Sequence, residues 1–341
     1  MRLLVDINHP AHVHFFKNFI WDMKKLGNEI IIVASKKDIA LDLLDGYGFD
    51  YINIGSYGNT FVHKLINLVF LDIQMLLVVI KHNPDVILGI NSVRGAHAGW
   101  LLRKKTLIFT DTEHAVEQIA LYKPFATKIL TPTCFLSDLG PKHVRYSGYH
   151  ELAYLHPSRF EAGTDFHAEI GLRPADKYFV VRFVSWKATH DFRQHGFSFI
   201  GKQRLIDLLS GYGRVIVTSE NPLPAQFEPY RMNISPTMIH KALSSASLYI
   251  GEGGTMATEA AILGIPSVFV STLSAGTFKE LENKYSLLKS FTEEEEALHF
   301  LENEISEGSL FADRSSHKDK LIRDKVDVTS WMVDYVSTFG K

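Results

Sequence analysis

The stretch Leu248–Val268, LYIGEGGTMATEAAILGIPSV, decides how the rest of the chain is read. A short apolar run ends in Gly-Glu-Gly-Gly, a helical run starts at Thr255, and Gly264-Ile-Pro266 stops it before the next apolar run. Strand, tight turn, helix and strand in that order are the repeating unit of a parallel sheet. Glycines at 251, 253 and 254 let the backbone turn sharply and come close to a ligand. The helix N-terminus behind them presents unpaired N–H groups and the positive end of a dipole, which together make an anion site. Thr255 either caps this helix or donates to a phosphate oxygen. Glu259 follows one turn later on the same face, where a carboxylate suits the vicinal hydroxyls of a ribose. The plainer alternative is a structural turn with Glu259 idle.

Outward from this segment the same alternation covers the chain. Towards the C-terminus the pattern gives strands at Tyr178–Phe183, Arg214–Thr218, Ser247–Ile250 and Ser267–Val270, with helices at Gly201–Ser210, Thr237–Ser245, Thr255–Leu263, Phe278–Leu288 and Glu293–Glu304. Towards the N-terminus it gives strands at Leu3–Ile7, Glu29–Ala34, Tyr51–Ile54, Asp85–Leu88, Leu107–Thr110 and Lys128–Thr131. The helices there are Val13–Leu26, Ile39–Tyr47, Leu65–Ile80, Gly95–Arg103 and Glu113–Leu121. Near-continuous apolar strands between helices mean parallel sheets covered on both faces. Ser147–Pro157 (SGYHELAYLHP) has no clear period and reads as the connection between two domains, 1–150 and 158–315. A terminal segment, 316–341, holds a helix over Lys318–Thr338 that is expected to pack back on the first domain.

Composition sets outer limits. A chain of 341 residues suits two domains, and 46% hydrophobic with 22% charged residues is ordinary for a protein with a sizeable core. A net charge of −2 argues against nucleic acid as a partner. The single cysteine, Cys134, fits a reducing compartment, and the opening Met-Arg-Leu-Leu-Val-Asp reads as a strand and not a signal peptide. The expected location is the cytoplasm. Leu65–Ile80 is shorter than the roughly 20 residues that span a bilayer. It carries Asp72 and Gln74 and reads as a buried helix, with an exposed face for a membrane surface or a partner as the alternative.

Three further constellations sit where open α/β sheets bind ligands, beyond the carboxyl ends of strands. Asn8–His14 (NHPAHVH) brings His9, His12 and His14 directly after the first strand, with His9 and His12 as substrate-touching candidates. No cysteine or carboxylate motif accompanies them, so they make a poor metal site. Gly89–Gly99 and Phe109–His114 bring Asn91, Ser92, Arg94, Asp111, Glu113 and His114 to the same edge, the first three on an acceptor side. In an extended stretch Asp111 and Glu113 point the same way and can act as a pair; otherwise Asp111 or Thr112 caps the following helix. Arg182, near the end of its strand, is placed to meet phosphate or to form a structural ion pair. Ser219 and Glu220, in the loop Ser219–Pro224, border a base or ribose; Trp186, Lys187, Asp191 and His195 lie in a nearby stretch with no separable roles.

The string GEGGTMATEAAILGIPSV resembles the donor-site motif of the GT-B nucleotide-sugar enzymes, which include UDP-N-acetylglucosamine 2-epimerase and the N-acetylglucosaminyltransferase that makes lipid II. With NHPAHVHFFK, TDTEHA, SGYHELAYLHP and GGTMATEAA, nearly the whole chain resembles a prokaryotic family described as a domain of unknown function. The resemblance implies an α/β GT-B fold, two Rossmann-like doubly wound domains facing a cleft. It also implies Gly253, Gly254 and Thr255 at a pyrophosphate and Glu259 at a ribose, with acceptor or acid/base groups on the N-terminal domain. The chain departs from the epimerases in having Thr-Asp-Thr-Glu-His near their acidic string, and from the lipid II enzyme in having Asn-His-Pro-Ala-His for a glycine-rich first loop.

The leading expectation is an inverting glycosyltransferase with a nucleotide-diphosphate sugar donor, UDP-linked, and a glycan or lipid-linked acceptor. Its base is Asp111, His9 or His12, and Arg182 and the Thr255 helix stabilise the leaving diphosphate. No Asp-x-Asp pair appears, which favours chemistry without a metal or cofactor. The alternatives are a nucleotide-sugar epimerase or hydrolase using Asp111 with Glu113, and a non-catalytic nucleotide-sugar-binding protein. Peripheral contact with the inner face of a membrane is compatible with the first.

Overall fold

The computed structural model describes residues 1–37, 39–56, 61–162, 166–184, 196–219, 222–311 and 314–339. The chain forms two compact units, Met1–Arg159 with Lys325–Lys341, and Phe160–Asp324.

In the first unit the elements run β1 (Arg2–Ile7), α1 (Pro10–Lys25), β2 (Glu29–Ala34), α2 (Ala40–Gly46), β3 (Ile52–Asn53), α3 (Phe61–His82) and β4 (Val86–Ile90). They continue as α4 (Val93–Leu101), β5 (Lys105–Phe109), α5 (Val116–Tyr122), β6 (Lys128–Pro132), β7 (His143–Tyr146) and α6 (Leu152–Leu155). The sheet has seven strands in the order β3-β2-β1-β4-β5-β6-β7. Every pairing is parallel. From β1 the chain winds outward to β3, then returns to place β4 on the other side of β1. The carboxyl ends of β1 and β4 therefore flank a topological switch point, where strand-end loops diverge and leave a crevice. All of Leu3–Ile7 and Val86–Ile90 is buried, as strands covered on both faces require.

Several expectations need correction here. SGYHELAYLHP, read as the connection between domains, ends two residues before the boundary at Arg159, and Tyr149, Leu152, Ala153, Tyr154 and Leu155 within it are buried, with α6 packed against α1. Four tyrosine and histidine side chains hid an apolar core segment. The single C-terminal helix is two, α12 (Ser315–Asp324) and α13 (Val328–Phe339), separated at Lys325–Asp327; α13 packs on α1 and α6. Arg159 clamps this corner by bonding Asp22 at 2.5 Å and Asp327 at 2.7 Å. α3 is not buried all round. Leu71, Met75, Val78 and Val79 enter the core, while Val69, Phe70, Ile73, Leu77 and Ile80 are half exposed or more. A helix lying on one face of a sheet has only one stripe to bury, however apolar its other side.

The second unit runs β8 (Tyr178–Phe183), α7 (Phe199–Ser210), β9 (Arg214–Ser219), α8 (Ile239–Ser244), β10 (Leu248–Gly251) and α9 (Gly254–Leu263). It ends with β11 (Ser267–Val270), α10 (Gly276–Asn283), β12 (Leu288–Phe291), α11 (Glu294–Glu307) and α12. Its five strands lie in the order β12-β11-β10-β8-β9, all parallel. The winding reverses between β8 and β10, so their carboxyl ends form this unit's switch point. Phe179, Val181, Leu248, Ile250 and Val268 make the centre of its core. β7 and β12 lay inside stretches that periodicity left unassigned or helical; each is four residues long, too short to show a period.

Candidate functional site

In the second unit the glycine turn stands at the switch point. Gly251 pairs with Arg182 of β8, and a Cβ there would lie 2.5 Å from the Arg182 carbonyl oxygen. Only glycine permits that approach. Gly253 occupies the N-cap position of α9, and its carbonyl accepts from Tyr249 Oη at 3.0 Å. A Cβ on Gly254 would come within 2.6 Å of Phe278 Cζ, so this glycine is required by the packing of α10 against α9 whatever binds outside. The N-cap Gly253 brings no capping side chain, the first turn of α9 carries no acid, and Thr255 is exposed there. The first-turn N–H groups, the dipole and the Arg182 guanidinium near the end of β8 make this strand edge suited to an anion. Ser219 ends the neighbouring β9 and is partly exposed; Glu220, Trp186, Lys187, Asp191 and His195 lie outside the described residues.

Glu259 is buried, and its Oε1 meets His240 Nε2 at 2.9 Å. One carboxylate oxygen is thus held by a histidine of α8, a residue the sequence reading did not single out. The pairing arises because α8 packs against α9, and no local pattern announces it. Glu252, within the glycine turn, also went unassigned. Its buried carboxylate accepts from the Val184 and Phe197 amides at 2.7 and 2.6 Å, with Lys202 Nζ 3.7 Å away. This glycine-flanked acid is therefore a structural tie that holds two distant backbone positions.

In the first unit the strand ends gather His9, His12, Asp111 and His150. His9 is the N-cap of α1: its Nδ1 accepts from the Ala11 amide at 3.2 Å. The helix starts at Pro10, earlier than expected, because proline suits the first helical position. That places His12 in the first turn, with the His9 and His12 rings 5.7 Å apart, and sends His14 along the helix to Tyr47 and Tyr154. Asp111 follows β5 and its Oδ2 lies 3.0 Å from His150 Nδ1, while Thr112 Oγ1 donates to Oδ1 at 2.9 Å. His150 sits between Phe15 and Tyr146, whose rings pack against it. Among the described residues, His12 Nδ1 and His150 Nε2 are buried with no hydrogen-bond partner.

Electrostatics separate these groups. Burial resists ionisation of Asp111, but the charge of His150 and hydrogen bonds from His150 and Thr112 outweigh it and hold the carboxyl at about 2. Burial first, then the neighbouring His9, Lys37 and His150, keeps His12 well below the usual imidazole value despite Asp111. At neutral pH Asp111 is a carboxylate and His12 a neutral imidazole.

Other expected residues fall elsewhere. Asp111 is tied to His150, while Glu113 Oε1 accepts from the Leu136 amide at 3.2 Å. Neither Asp111 nor Thr112 caps a helix, since α5 starts at Val116 behind Ala115. His114 is partly exposed in the intervening turn. Ser92 and Arg94, expected on an acceptor side, are turned inward: Ser92 caps α4 and bonds Asp6, and Arg94 Nη2 meets Asp6 Oδ1 at 2.5 Å with side chains 1% and 0% exposed. A charge inside the apolar β1 obliged a buried cation, and α4 supplied it. Asn91 takes a left-handed φ of 46° between β4 and α4 and accepts from Tyr122 Oη at 3.3 Å. Among the described residues no three metal-ligating side chains converge.

Comparison with known proteins agrees with this architecture. Residues 1–338 match the family described as protein of unknown function (DUF354). A Methanocaldococcus jannaschii protein described as "Uncharacterized protein MJ0665" is 26% identical over 277 residues, covering 77% of this chain and 80% of that one. Among solved structures, the spinosyn rhamnosyltransferase SpnG complexed with spinosyn aglycone is similar with TM-score 0.66 and 14% identity over all of both chains. S. aureus MnaA with UDP gives TM-score 0.71 and 10% identity, covering 99% of this chain and 96% of that one. UDP-GlcNAc 2-epimerase from Neisseria meningitidis bound to UDP-GlcNAc gives 0.67 and 10%, covering 99% and 100%. The two parallel α/β sheets are those of the GT-B fold.

Proposed function

We propose that this chain, which belongs to the DUF354 family, is a metal-independent inverting glycosyltransferase that uses a nucleotide-diphosphate sugar, UDP-linked, to glycosylate a surface glycan or glycolipid precursor. The observation that carries this is the uncapped start of α9 beside Arg182 at the switch point of the second unit. There Gly253, Gly254 and Thr255 receive the diphosphate, and the Glu259–His240 pair receives the ribose. As the bond from the anomeric carbon to the diphosphate breaks, the leaving charge falls on groups already oriented towards it.

The first unit supplies the base. Asp111, held near 2, is too weak a base to take a hydroxyl proton itself, and His9 spends its Nδ1 lone pair on capping α1. His150 is better suited: Asp111 receives its Nδ1–H, leaves Nε2 as the basic atom, and stabilises the imidazolium that forms. His12 stands beside it as a neutral neighbour. An epimerase or hydrolase would use Asp111 and Glu113 together; here each carboxylate has a different partner, His150 for Asp111 and the Leu136 amide for Glu113, which favours transfer. The enzyme works in the cytoplasm, at the inner face of the membrane where its acceptor is lipid-linked, and needs no cofactor.

Incubation with a panel of nucleotide sugars tests this. Nucleoside diphosphate released only when an acceptor extract is added supports transfer. An isomerised sugar nucleotide would replace transfer by epimerisation, and binding without turnover would leave a nucleotide-sugar-binding protein.

A further inference from the structure

α3 and α4 present to solvent a surface that the reaction does not use. Along α3, Val69, Phe70, Ile73, Leu77 and Ile80 are 61%, 50%, 49%, 53% and 57% exposed. Their spacing puts them on one stripe, opposite the stripe that enters the core. On α4, Trp100 and Leu101 are 60% and 58% exposed. The two helices pack together, and His97 Nδ1 to Asp72 Oδ2 at 2.8 Å pins α4 to the flank of α3. Trp100 and Leu101 follow His97 by about one turn, and the Trp100 ring meets Phe125 edge-on at 5.2 Å. So many large exposed apolar side chains on two packed helices are uncommon on a protein surface that meets only water.

Cations border it. Trp100, Arg103, Lys104, Lys105, Phe125 and Lys142 line a shallow hollow of about 750 Å³ at the end of α4. Lys104 Nζ reaches Asn83, at the end of α3 next to exposed Lys81, at 2.6 Å. Lys105 bonds the Phe339 carbonyl, and Lys142 the carbonyls of Lys123 and Pro124. These partners are neutral, so the positive charge of the hollow is not cancelled by any carboxylate among the described residues. In a chain of net charge −2 this is a local excess of one sign.

We propose that the α3–α4 face docks on an anionic lipid bilayer, the aliphatic stripe and Trp100 entering the headgroup boundary and Arg103, Lys104, Lys105 and Lys142 meeting lipid phosphates. An apolar stripe flanked by lysine and arginine with an interfacial tryptophan is the chemistry that such a surface recognises. The helix lies on the bilayer; no helix among the described residues is long and apolar enough to cross one. The inference gives the membrane contact of the proposed function a surface, and vesicle binding is read without turnover, so either can fail alone.

The test is flotation of the full chain with vesicles of phosphatidylcholine alone and of phosphatidylcholine with one-third phosphatidylglycerol. Binding is expected to the anionic vesicles, to weaken with added salt, and to shift tryptophan emission to the blue in wild type but not in Trp100→Ala. Arg103→Gln with Lys104→Gln should bind about 25-fold more weakly, about fivefold for each cation. Ile73→Glu with Leu77→Glu, on exposed positions, should abolish binding, whereas Lys25→Glu on α1 should not. Nucleotide affinity and thermal midpoint, unchanged in each variant, show that the fold is intact. Equal binding to neutral vesicles, no vesicle binding, or full binding by the Ile73/Leu77 variant overturns the proposal. So does a concentration-dependent dimer that those two glutamates dissolve, which would make a second copy of the chain the occupant.

Discussion

Asp111→Asn tests the Asp111–His150 pair most directly, because it preserves shape and removes charge. The carboxyl is held at about 2 against an ordinary 3.8. Through linkage this corresponds to on the order of 2 kcal/mol of folding stability at neutral pH. Asp111 is 29% exposed, so solvent screening makes this an upper figure. The sign follows from a depressed pKa: the contribution is complete above the unfolded value, near 4, and is lost as pH falls through 2. By pH 3 it should be about half its neutral value. For a unit of this size the neutral-pH loss means a thermal midpoint lower by about 4–8 °C. Scanning calorimetry of wild type and Asp111→Asn at pH 7, 4 and 3 reads it directly, and a cycle with His150→Ala isolates the coupling. In the same variants transfer should be lost while nucleotide affinity holds, since the donor residues are on the other unit. A stability difference as large at pH 3 as at pH 7, or a coupling near zero, would refute the Asp111–His150 contact. Full turnover in His150→Ala would remove the base from His150.

Glu259→Gln should weaken nucleoside diphosphate binding by about 1.5–3 kcal/mol in calorimetric titration, since it removes a charge-assisted acceptor; unchanged affinity would take Glu259 out of the ribose site. Gly254→Ala sets a methyl against the Phe278 ring and should cost about 1–3 kcal/mol even without ligand. Phe278→Leu should recover part of that loss in urea unfolding, and no recovery would show that the ring is not the obstacle. Arg94→Leu leaves Asp6 charged and buried and should cost about 3–5 kcal/mol. Adding Asp6→Leu should return most of it, and a double variant no better than the single would contradict the pairing.

The chain by itself determined the parallel α/β architecture, because alternation of apolar strands with helices is a local property. Tyr178–Phe183, Glu29–Ala34 and Ser267–Val270 were read to the residue, since each is a run of apolar side chains bounded by turns. Strand-end positions followed, and with them the placement of His9, Asp111, Arg182 and the glycine turn beyond carboxyl ends. Which side chains meet was not legible. His150 reaches Asp111 only because β7 pairs with β6 and turns its last residues back under Phe15, and β7 is too short to announce itself. Arg94 is drawn inward by Asp6, which stands more than eighty positions earlier in the chain. His240 finds Glu259 only when α8 lies on α9. The outer face of α3 was misread because hydrophobicity is a property of residues, whereas burial depends on how many faces the neighbouring sheet can cover. Period and turn chemistry act within a few residues and can be read along a line; partners chosen by strand order, register and helix packing exist only once the chain has closed on itself.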